Sequence, residues 1–475
     1  MILAKSESRG RDMARRGENG AYDLLILGGG SGAFSAAIRA SELGKTAAMI
    51  ERGTIGGTCV NVGCVPSKQL LATGEAYRAA QSNPFKGLRC EGETLDFSRA
   101  IEQKETVVRG LRQQKYEDVL EEWEGVDYVQ GTGTFASPHE VKVNGERLRG
   151  HSLLIATGSH PWVPPIQGLK RTGYWTNVEG LSPEEQPDSL LVIGGRALGL
   201  EFAQMYAMLD TEVTLLQRSE RILPEEEPEA SEALTAALKG DGVQILTQAQ
   251  PTEVRRDGRK KVVSAKVAGT TQEFRAEEIL LATGRRPNIA ELGLEKIGVD
   301  LGGHGEITVD REMRTSVPHI YAAGDVRGGE NLETTAAKEG FIVAENALAD
   351  RHLKMDPPEK VPRAIFTSPQ FAAIGYTEEE FTAMRGMCAC RTLPVDLLSK
   401  AQIVGDTRGI IKMGIDPESK VVVGVQIVAA QAADLIHEAA LAVRHGLTID
   451  DIIDVVHVYP TYSEIVKLVA VSFYR

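Results

Sequence analysis

Short apolar runs alternate with longer amphipathic stretches through much of the chain. Residues 22–27 form an apolar run, a helical pattern covers 32–43, and a second apolar run covers 46–50. Residues 190–193 and 213–216 are apolar runs that bound a second segment of the same kind. Apolar runs this short are typical of buried strands, and strand–helix–strand order is typical of parallel sheets covered by helices. The pattern therefore predicts an α/β protein built on two such units.

Glycines occupy the turn after the first apolar run at a characteristic spacing. Gly28, Gly30 and Ala33 follow in the order G-x-G-x-x-A. The first glycine permits a tight turn, and the second lets backbone N–H groups approach a pyrophosphate at the helix N-terminus. The small third residue allows close packing of helix and strand. Glu51 ends the second strand, where an acid can hold the ribose hydroxyls. Because all these parts occur in order, they predict a Rossmann-like dinucleotide site.

An imperfect copy of this motif follows residues 190–193. Gly194 and Gly199 keep their places, but Arg196 replaces the second glycine of the pattern. The second strand of this copy ends not in an acid but in a stretch that contains Arg218 and Arg221. An acid there selects NAD, whereas an arginine accommodates the 2′-phosphate of NADP. The copy therefore predicts an NADPH site; the alternative is a solvated charged turn.

Two cysteines lie between these units in a glycine-punctuated loop. Cys59 and Cys64 are separated by four residues, and a helical pattern follows from Lys68 to about Ala80. A loop that enters a helix places thiols near the positive end of the helix dipole, which favours the reactive thiolate. The spacing suits either a small disulfide ring or the binding of one soft metal ion. The alternative is a structural disulfide or two buried thiols. Beside two dinucleotide sites, the pair predicts electron flow from nicotinamide to flavin to dithiol.

Composition and charge exclude several other classes of protein. The 475 residues suffice for several domains, and 42% of them are hydrophobic. The net charge of −13 argues against nucleic acid or anionic membranes as partners. No stretch is long and apolar enough to span a bilayer. Five cysteines in so long a chain do not make a disulfide scaffold, and a redox thiol pair fits the reducing cytoplasm.

With these motifs together, the chain resembles class I pyridine nucleotide-disulfide oxidoreductases over about residues 21–473. This is the group of glutathione reductase, dihydrolipoamide dehydrogenase and mercuric reductase. Ala156-Thr157-Gly158 and Ala282-Thr283-Gly284 each follow an apolar run, as at the family's domain crossings. The stretch from Tyr321 to Asp325 resembles the second flavin motif, whose aspartate binds the ribityl chain. Lys68 and Glu201 match an ion pair that lies beside the flavin ring in the family.

The resemblance implies cofactors and domains as well. It implies that FAD contacts Gly28, Gly30, Ala33, Glu51, Gly57, Thr58, Lys68, Thr157, Gly158, Gly324 and Asp325. It implies that NADPH contacts Gly194, Gly199, Glu201, Arg218, Arg221 and Gly284. We expect a glutathione reductase-like arrangement with a C-terminal α+β dimerisation domain. The expected domains are a disordered basic tail (1–20), an FAD-binding domain (21–160 and 286–345), an NADPH-binding domain (161–285) and an interface domain (346–475).

The C-terminal segment distinguishes the members of the family. Thiol-disulfide members carry a histidine directly before a Pro-Thr pair and a glutamate four residues after the proline. Here the histidine's place is taken by Tyr459, while Glu464 remains. His457 lies two residues earlier, roughly 7 Å back along an extended chain. A tyrosine is a weak acid–base group at neutral pH, but it suits a thiophilic metal as a neutral donor or weak ligand. The chain resembles mercuric reductases at this tyrosine and in the segment around Tyr116.

This resemblance implies a specific reaction. Cys59 and Cys64 would bind Hg(II), delivered as small-thiol complexes, with help from Tyr116 and Tyr459. Cys64 would lie against the flavin, and Cys59 would be the more exposed partner. NADPH would then reduce the ion to Hg(0) through FAD. In the family the partner's C-terminal segment completes each site, so we expect an obligate homodimer.

Two features depart from mercuric reductases, and two other functions stay open. The sequence has neither an N-terminal metal-binding domain nor the adjacent cysteines in which these enzymes usually end. Cys388 and Cys390 form the remaining close pair, and their expected role is that of ordinary surface or strand cysteines. A C-x-C pair can bind a soft metal, so a role in the delivery of Hg(II) is the alternative. A dihydrolipoamide dehydrogenase-like reductase of another disulfide is the alternative enzyme. A metal-binding or thiol-sequestering protein with a vestigial reductase fold is the alternative of another class.

Overall fold

A computed structural model describes residues 20–88 and 94–474, which fall into two compact units. Unit 1 comprises the described part of Met1–Asn61 together with Val108–His160 and Arg285–Asp356. Unit 2 comprises the described parts of Val62–Val107, Pro161–Gly284 and Pro357–Arg475. Residues 1–19 of the expected basic tail lie outside the described residues. None of the described helices is long and apolar enough to cross a membrane.

The strands and helices follow in chain order. The strands are β1 Tyr22–Leu27, β2 Ala47–Glu51, β3 Val126–Gln130, β4 Thr134–Ser137, β5 Glu140–Val143, β6 Glu146–Ile155, β7 Ser159–Pro161, β8 Ser189–Ile193, β9 Glu212–Leu216, β10 Gln244–Leu246, β11 Ala249–Asp257, β12 Lys260–Val267, β13 Thr270–Ala276, β14 Glu278–Leu281, β15 Arg285–Pro287, β16 Ile320–Ala322, β17 Arg363–Ile365, β18 Gln370–Gly375, β19 Ala389–Pro394, β20 Ile410–Ile415 and β21 Val422–Ala429. The helices are α1 Ser31–Glu42, α2 Gly57–Val62, α3 Cys64–Gln81, α4 Phe97–Arg112, α5 Asp118–Glu122, α6 Leu169–Thr172, α7 Asn177–Leu181, α8 Ala197–Met208, α9 Pro228–Gly240, α10 Glu333–Leu348, α11 Glu378–Arg385, α12 Ser399–Val404, α13 Ala432–His445, α14 Ile449–Asp454 and α15 Glu464–Ser472.

Unit 1 is built on a seven-stranded sheet in the order β3-β2-β1-β6-β5-β4, with β16 also paired to β6. The strands β3, β2, β1 and β6 run parallel, and Leu25 stands opposite both Ala48 and Leu153. These three side chains are fully buried, as expected for a parallel sheet covered on both faces. The helices α1 and α10 pack against each other beside this sheet.

Unit 2 contains three sheets. The strands β10-β9-β8-β14 form a parallel sheet, and β11-β12-β13 form an antiparallel one. Helix α8, which follows β8, is buried along nearly its whole length, which explains its almost uninterrupted apolar sequence. The third sheet is antiparallel, in the order β17-β18-β21-β20-β19, and α13 and α15 pack on it. These sheets confirm the predicted α/β fold class with a C-terminal α+β part.

One predicted helix starts earlier than its pattern indicated. The apolar periodicity predicted a helix from Lys68, whereas α3 begins at Cys64. Pro66 stands in the first turn, where its missing N–H would have no helical partner in any case. A proline there is therefore compatible with the helix, and Cys64 becomes its first residue.

Candidate active site

The first glycine motif forms a close turn between β1 and α1. Gly28 has a φ of +122°, and a Cβ there would lie 2.2 Å from the carbonyl oxygen of Ala156. Gly30 caps α1, and Gly57 packs so tightly on it that a Cβ on Gly57 would lie 2.8 Å from its Cα. Ala33 is fully buried. The backbone at the N-terminus of α1 is therefore open to a close ligand, which fits the pyrophosphate of FAD.

A cavity of about 280 Å³ adjoins this turn in unit 1, and Gly28, Glu51, Thr157 and Asn288 contribute to its lining. Glu51 accepts a hydrogen bond of 2.6 Å from the backbone N–H of Gly53, which leaves its second carboxylate oxygen for a ribose. The Thr157 hydroxyl donates to the carbonyl oxygen of Asn288 at 2.8 Å. The donor set of this cavity fits the adenosine half of FAD.

The second flavin motif lies in a polar network within unit 1. Gly324, with a φ of +74°, donates its N–H to the buried carboxylate of Glu339 at 2.7 Å. Asp325 accepts from the Ser159 hydroxyl at 2.6 Å and lies 3.6 Å from the Arg285 guanidinium. Arg285, Ser159 and Glu339 were not predicted from the sequence. For Arg285 the signal was its place directly after the second Ala-Thr-Gly motif.

The second glycine motif repeats the close turn in unit 2. Gly194 has a φ of +116°, and a Cβ there would lie 2.2 Å from the carbonyl oxygen of Ala282. A Cβ on Gly199 would lie 1.9 Å from the carbonyl oxygen of Gly194, so only glycine lets α8 start this close to β8. Gly284, with a φ of +109°, accepts a hydrogen bond from the Trp162 N–H. These contacts explain why glycines recur at these places.

A cavity of about 460 Å³ extends from this turn, and its lining includes Arg196, Gln217, Arg218 and Gly284. Burial, together with the nearby charge of Arg218, lowers the pKa of Arg196. Two arginines therefore line one cavity, and the Arg196 guanidinium also pairs with Glu225. Such a site fits a phosphorylated dinucleotide. In the sequence, Arg196 was recognised only as a departure from the glycine motif.

Arg221 is placed differently from Arg218. Its guanidinium donates to the carbonyl oxygens of Pro224 at 2.9 Å and Glu226 at 3.2 Å. Among the described residues that line the cavity, Arg218 is present and Arg221 is not. The Arg221 guanidinium thus contacts the loop after β9, and its contact with NADPH stays a prediction.

The structure brings Lys68 and Glu201 together within unit 2. Their charged groups are 2.6 Å apart, and the Glu201 side chain is buried. The second oxygen of Glu201 accepts from the backbone N–H of Phe366 at 2.9 Å. The Lys68 ammonium also lies 4.6 Å from the centre of the Phe366 ring. Both charges are thus held by two contacts each.

Cys59 lies half-buried in α2, a helix that other side chains of unit 1 hold in place. Asn61 donates to the carbonyl oxygens of Ile55 and Gly57, both at 2.9 Å, and accepts from Arg112 at 3.1 Å. Thr58 is exposed beside Cys59. Arg112 and Asn61 were not predicted from the sequence, because they belong to no recognisable motif.

Tyr116 lies in a π-helical turn, Gln113–Glu117, that continues α4. Its ring is buried and stands edge-on to Phe34 at 4.8 Å. A Cβ on Gly56 would lie 3.2 Å from this ring, so the tyrosine packs against the residue just before α2, the helix that carries Cys59.

Cys64 is exposed at the first residue of α3, a helix of 18 residues. Asn177 anchors the chain just before it by donating to the carbonyl oxygen of Val62 at 2.6 Å. A thiol in the first turn of a helix lies where the helix dipole stabilises a thiolate.

The C-terminal segment presents Tyr459 to solvent, with 70% of the residue exposed. Its hydroxyl donates to the Ser399 hydroxyl at 3.2 Å. His457 points elsewhere, 2.9 Å from the Glu438 carboxylate. Glu464 accepts from the Thr461 N–H at 3.1 Å at the start of α15. Tyr459 and Tyr116 belong to different units.

Comparison with protein-family models matches almost the whole chain. Residues 22–340 match the model described as pyridine nucleotide-disulphide oxidoreductase, and residues 361–470 match the dimerisation domain of the same family. The chain belongs to this family. Membership confirms the expected cofactors at the level of FAD and a reduced pyridine nucleotide, and it confirms the resemblance inferred from the motifs.

Two relatives and one solved structure show which members of the family this chain is similar to. The chain is 41% identical to a mercuric reductase of Staphylococcus aureus over 96% of its own length and 83% of that protein. It is 40% identical to a mercuric reductase of Streptomyces lividans over 95% of its length and 96% of that protein. A solved structure, the Cu(II) complex of the HOCl-induced flavoprotein disulfide reductase RclA from Escherichia coli, superimposes with a TM-score of 0.86 at 26% identity. That match covers 95% of this chain and 99% of the other.

Proposed function

We propose that this oxidoreductase reduces Hg(II) to Hg(0) with NADPH through the pair Cys59 and Cys64. The observation that carries the proposal is a tyrosine, Tyr459, exposed at the place where thiol-disulfide members present a histidine. The relatives named mercuric reductase support the same substrate. A soft ion such as Hg(II) is bound best by soft sulfur ligands, which this pair supplies.

FAD and the nicotinamide, when bound, supply the two-electron chemistry between NADPH and the dithiol. Gly28, Glu51 and Asp325 would hold the flavin nucleotide. Lys68, kept in place by Glu201, would place a positive charge beside the flavin ring. Each role is a proposal from the family resemblance, supported by the close turns and by the Lys68–Glu201 contact.

The dithiol would exchange ligands with a small-thiol complex of Hg(II). Two small thiols leave with the protons that Cys59 and Cys64 give up, so charge balances when the ion becomes bound to both sulfurs. Two electrons then convert Hg(II) into Hg(0), which leaves as a neutral atom. Tyr459 from the partner would act as a neutral donor or weak ligand, and Tyr116 would support the start of α2, the helix that carries Cys59.

Arg218 is the residue that we propose for recognition of the 2′-phosphate of NADPH. It lines the nucleotide cavity together with Arg196, and the second strand of the motif ends without an acid. The contact of Arg221 with NADPH stays a prediction, although its guanidinium is bound to backbone carbonyls.

A homodimer in the cytoplasm is part of the proposal. The dimerisation domain matched at residues 361–470 supports the dimer. Val456 and Val458, which precede Tyr459 in the chain, are exposed apolar residues that a partner would cover. A reactive thiol pair supports a reducing compartment.

The deciding experiment follows NADPH oxidation by the FAD-loaded protein with Hg(II) and excess small thiol while volatilised Hg(0) is collected. A parallel reaction contains lipoamide instead of Hg(II). We expect Hg-dependent oxidation with a matching yield of vapour, and loss of both in Cys59→Ala and in Cys64→Ala with FAD retained. Lipoamide turnover without vapour would assign a disulfide reductase instead. Binding of Hg(II) without NADPH oxidation would assign a metal-binding protein.

Tyr459→Phe tests the tyrosine in the same assay. We expect Hg(II) reduction to slow roughly tenfold, which corresponds to the loss of one hydrogen bond of about 1.4 kcal/mol in the transition state. Thermal stability should not change, because the side chain is mostly exposed. Tyr474→Phe is the matched control, since Tyr474 is another exposed tyrosine of the C-terminal region. Equal rates in both variants would remove Tyr459 from the mechanism.

A further inference from the structure

A second pair of thiols lies in unit 2. The sulfurs of Cys388 and Cys390 are 3.1 Å apart and are not joined by a disulfide. Cys390 belongs to β19, and its backbone pairs with Gly414 of β20. Cys388 lies just before β19, and both sulfurs lie on the side of the sheet where Gly414 would carry a Cβ. Each is only partly buried, so ions can reach the pair from solvent.

Gly414 leaves the space that the two sulfurs occupy. A Cβ at this position would lie 3.1 Å from the sulfur of Cys388 and 3.4 Å from that of Cys390. Its φ does not lie in the left-handed region, so the backbone conformation does not demand glycine. The absence of a side chain here serves the thiol pair by keeping both sulfurs side by side.

An acidic side chain lies beside the pair. Glu378 contacts the Cys390 thiol and also lines a cavity of about 850 Å³. The lining of this cavity includes Glu225, Glu226, Glu227, Glu229, Glu378, Glu379 and Glu380, against Arg221 and Lys412 as the basic residues. An excess of negative charge raises the local concentration of cations. The thiols therefore lie beside a surface that attracts metal ions.

We propose that Cys388 and Cys390 form a second binding site for a thiophilic cation, for which Hg(II) is the probe. Both thiols lose their protons to solvent as two sulfur–metal bonds form, so no oxidant or reductant is required. The described residues contain no preassembled group of three or more His, Cys, Asp or Glu ligands. The site thus offers two sulfurs, and it suits a soft ion that accepts few ligands.

The geometry is close to that of a chelate. Bonds from sulfur to a d¹⁰ ion are roughly 2.3 Å long for zinc, and those to larger ions are longer. Two sulfurs on one ion can therefore stand farther apart than the observed 3.1 Å. Rotation of the two cysteine side chains about their Cα–Cβ bonds would move the sulfurs this far apart without a change in the strand. The site goes beyond the proposed function, because it uses neither the flavin nor Cys59 and Cys64.

The test uses the FAD-loaded protein with Cys59→Ala, Cys64→Ala and Cys90→Ala, which leaves only Cys388 and Cys390 as thiols. Hg(II) is added with an excess of a monothiol, without NADPH, and the protein is passed through a gel-filtration column. Metal analysis and native mass spectrometry then count the bound ions. We expect one Hg(II) per chain to be retained, because two linked thiols hold the ion against a single free thiol.

Removing one sulfur identifies the ligands. Adding Cys388→Ser, a nearly isosteric change, to that protein should lower the retained Hg(II) at least roughly tenfold, since the chelate is lost. FAD absorbance and elution volume show that the protein is still folded. No retention before this change, or unchanged retention after it, would overturn the proposal. In a chain with all other cysteines intact, Cys388→Ser/Cys390→Ser should leave Hg(0) production unchanged, so failure of the proposed function is seen separately.

Discussion

At the scale of single residues, Glu201 shows how one buried carboxylate can serve two partners. One of its oxygens meets the Lys68 ammonium, and the other accepts the backbone N–H of Phe366. Phe366 in turn places its ring against the same ammonium. Removing the carboxylate would therefore leave both a cation and a backbone donor without their partner, and such groups are costly when water cannot replace the lost contact.

Two substitutions at this residue separate the charge from the hydrogen bond. Glu201→Ala should destabilise the protein by about 1–3 kcal/mol, whereas Glu201→Gln keeps an acceptor for Phe366 and should cost less. The shift of the urea unfolding midpoint, measured with FAD bound, checks both values. Equal shifts for the two variants would show that the backbone hydrogen bond contributes nothing.

At the scale of elements, α1 and α10 cross where two glycines meet. A Cβ on Gly340 would lie 2.0 Å from the carbonyl oxygen of Gly32. The first turn of α1 belongs to the dinucleotide motif, so the fit of these helices fixes the position of a phosphate-binding helix end. The same principle holds for α8, where Gly199 meets the carbonyl oxygen of Gly194.

Gly340→Ala should force the two helices apart. We expect a cost of about 1–3 kcal/mol from overpacking, together with a lower FAD content of the purified protein. Gly110→Ala is the control, because a Cβ at this exposed position of α4 would meet no atom within 4 Å. That change should stabilise the chain by about 0.5–1 kcal/mol. A normal FAD content in Gly340→Ala would contradict the proposed link between the crossing and the site.

Lys412 joins three elements of unit 2. Its buried ammonium lies 2.9 Å from Glu227, 2.8 Å from Glu229 and 2.9 Å from Glu378. It thus ties β20 to the N-terminal ends of α9 and α11. The Glu227 carboxylate is also buried, and it needs this cation.

Lys412→Met should cost about 3–5 kcal/mol, because it leaves the Glu227 carboxylate buried without its cation. The exposed pair of Lys420 with Asp450 provides the control, and Lys420→Met should shift the unfolding midpoint much less than Lys412→Met. Urea unfolding midpoints at neutral pH compare the two variants. Similar shifts of the midpoint in the two variants would show that the buried ion pairs of Lys412 stabilise the protein no more than an exposed ion pair does.

The same comparison has an expected pH dependence. The hydrogen bond from Lys412 lowers the pKa of Glu378 in the folded protein. A carboxyl group whose pKa is lowered by folding stabilises the folded protein at pH values above its unfolded pKa of about 4.3. This stabilisation is lost as the pH falls through the pKa of the group in the folded protein. The difference in the free energy of unfolding between the wild type and Lys412→Met should therefore become smaller below about pH 4. A gap that widens on acidification would contradict this sign.

At the scale of the whole molecule, the exposed C-terminal segment argues for a partner. Val456 is 90% exposed and Val458 is 73% exposed, next to the exposed ring of Tyr459. Apolar side chains grouped in this way mark interaction surfaces more often than chance exposure does. The family's dimerisation model covers this segment, which suggests a second copy of the chain as the occupant.

Val456→Glu/Val458→Glu should weaken the dimer. Burial of each valine contributes about 1.5 kcal/mol, so the double change should raise the dissociation constant at least roughly a hundredfold. Sedimentation over a range of concentrations measures this constant. Leu301→Glu, an exposed leucine in unit 1, is the control. A wild-type monomer, or a dimer unaffected by the double change, would remove the segment from the interface.

The sequence by itself determined the fold class and the two dinucleotide units. Local sequence patterns were sufficient for this prediction. The tight turns at Gly28 and Gly194 require glycine, and the spacing of glycines in the sequence indicates such turns. The C-terminal α+β part was expected from the family resemblance, and the structure supplies the order and register of its five strands. The pairing of Lys68 with Glu201 came from resemblance, since 133 residues separate them along the chain.

Only the tertiary structure decided which side chains share a site. Arg218 and Arg221 look alike in the sequence, yet the loop after β9 turns one into the cavity and the other onto backbone carbonyls. The register of β19 on β20 sets Cys388 and Cys390 against Gly414, and the packing of α11 brings Glu378 to them. Such contacts depend on distant strands and helices meeting in space, and no local pattern of hydrophobic and polar residues specifies them.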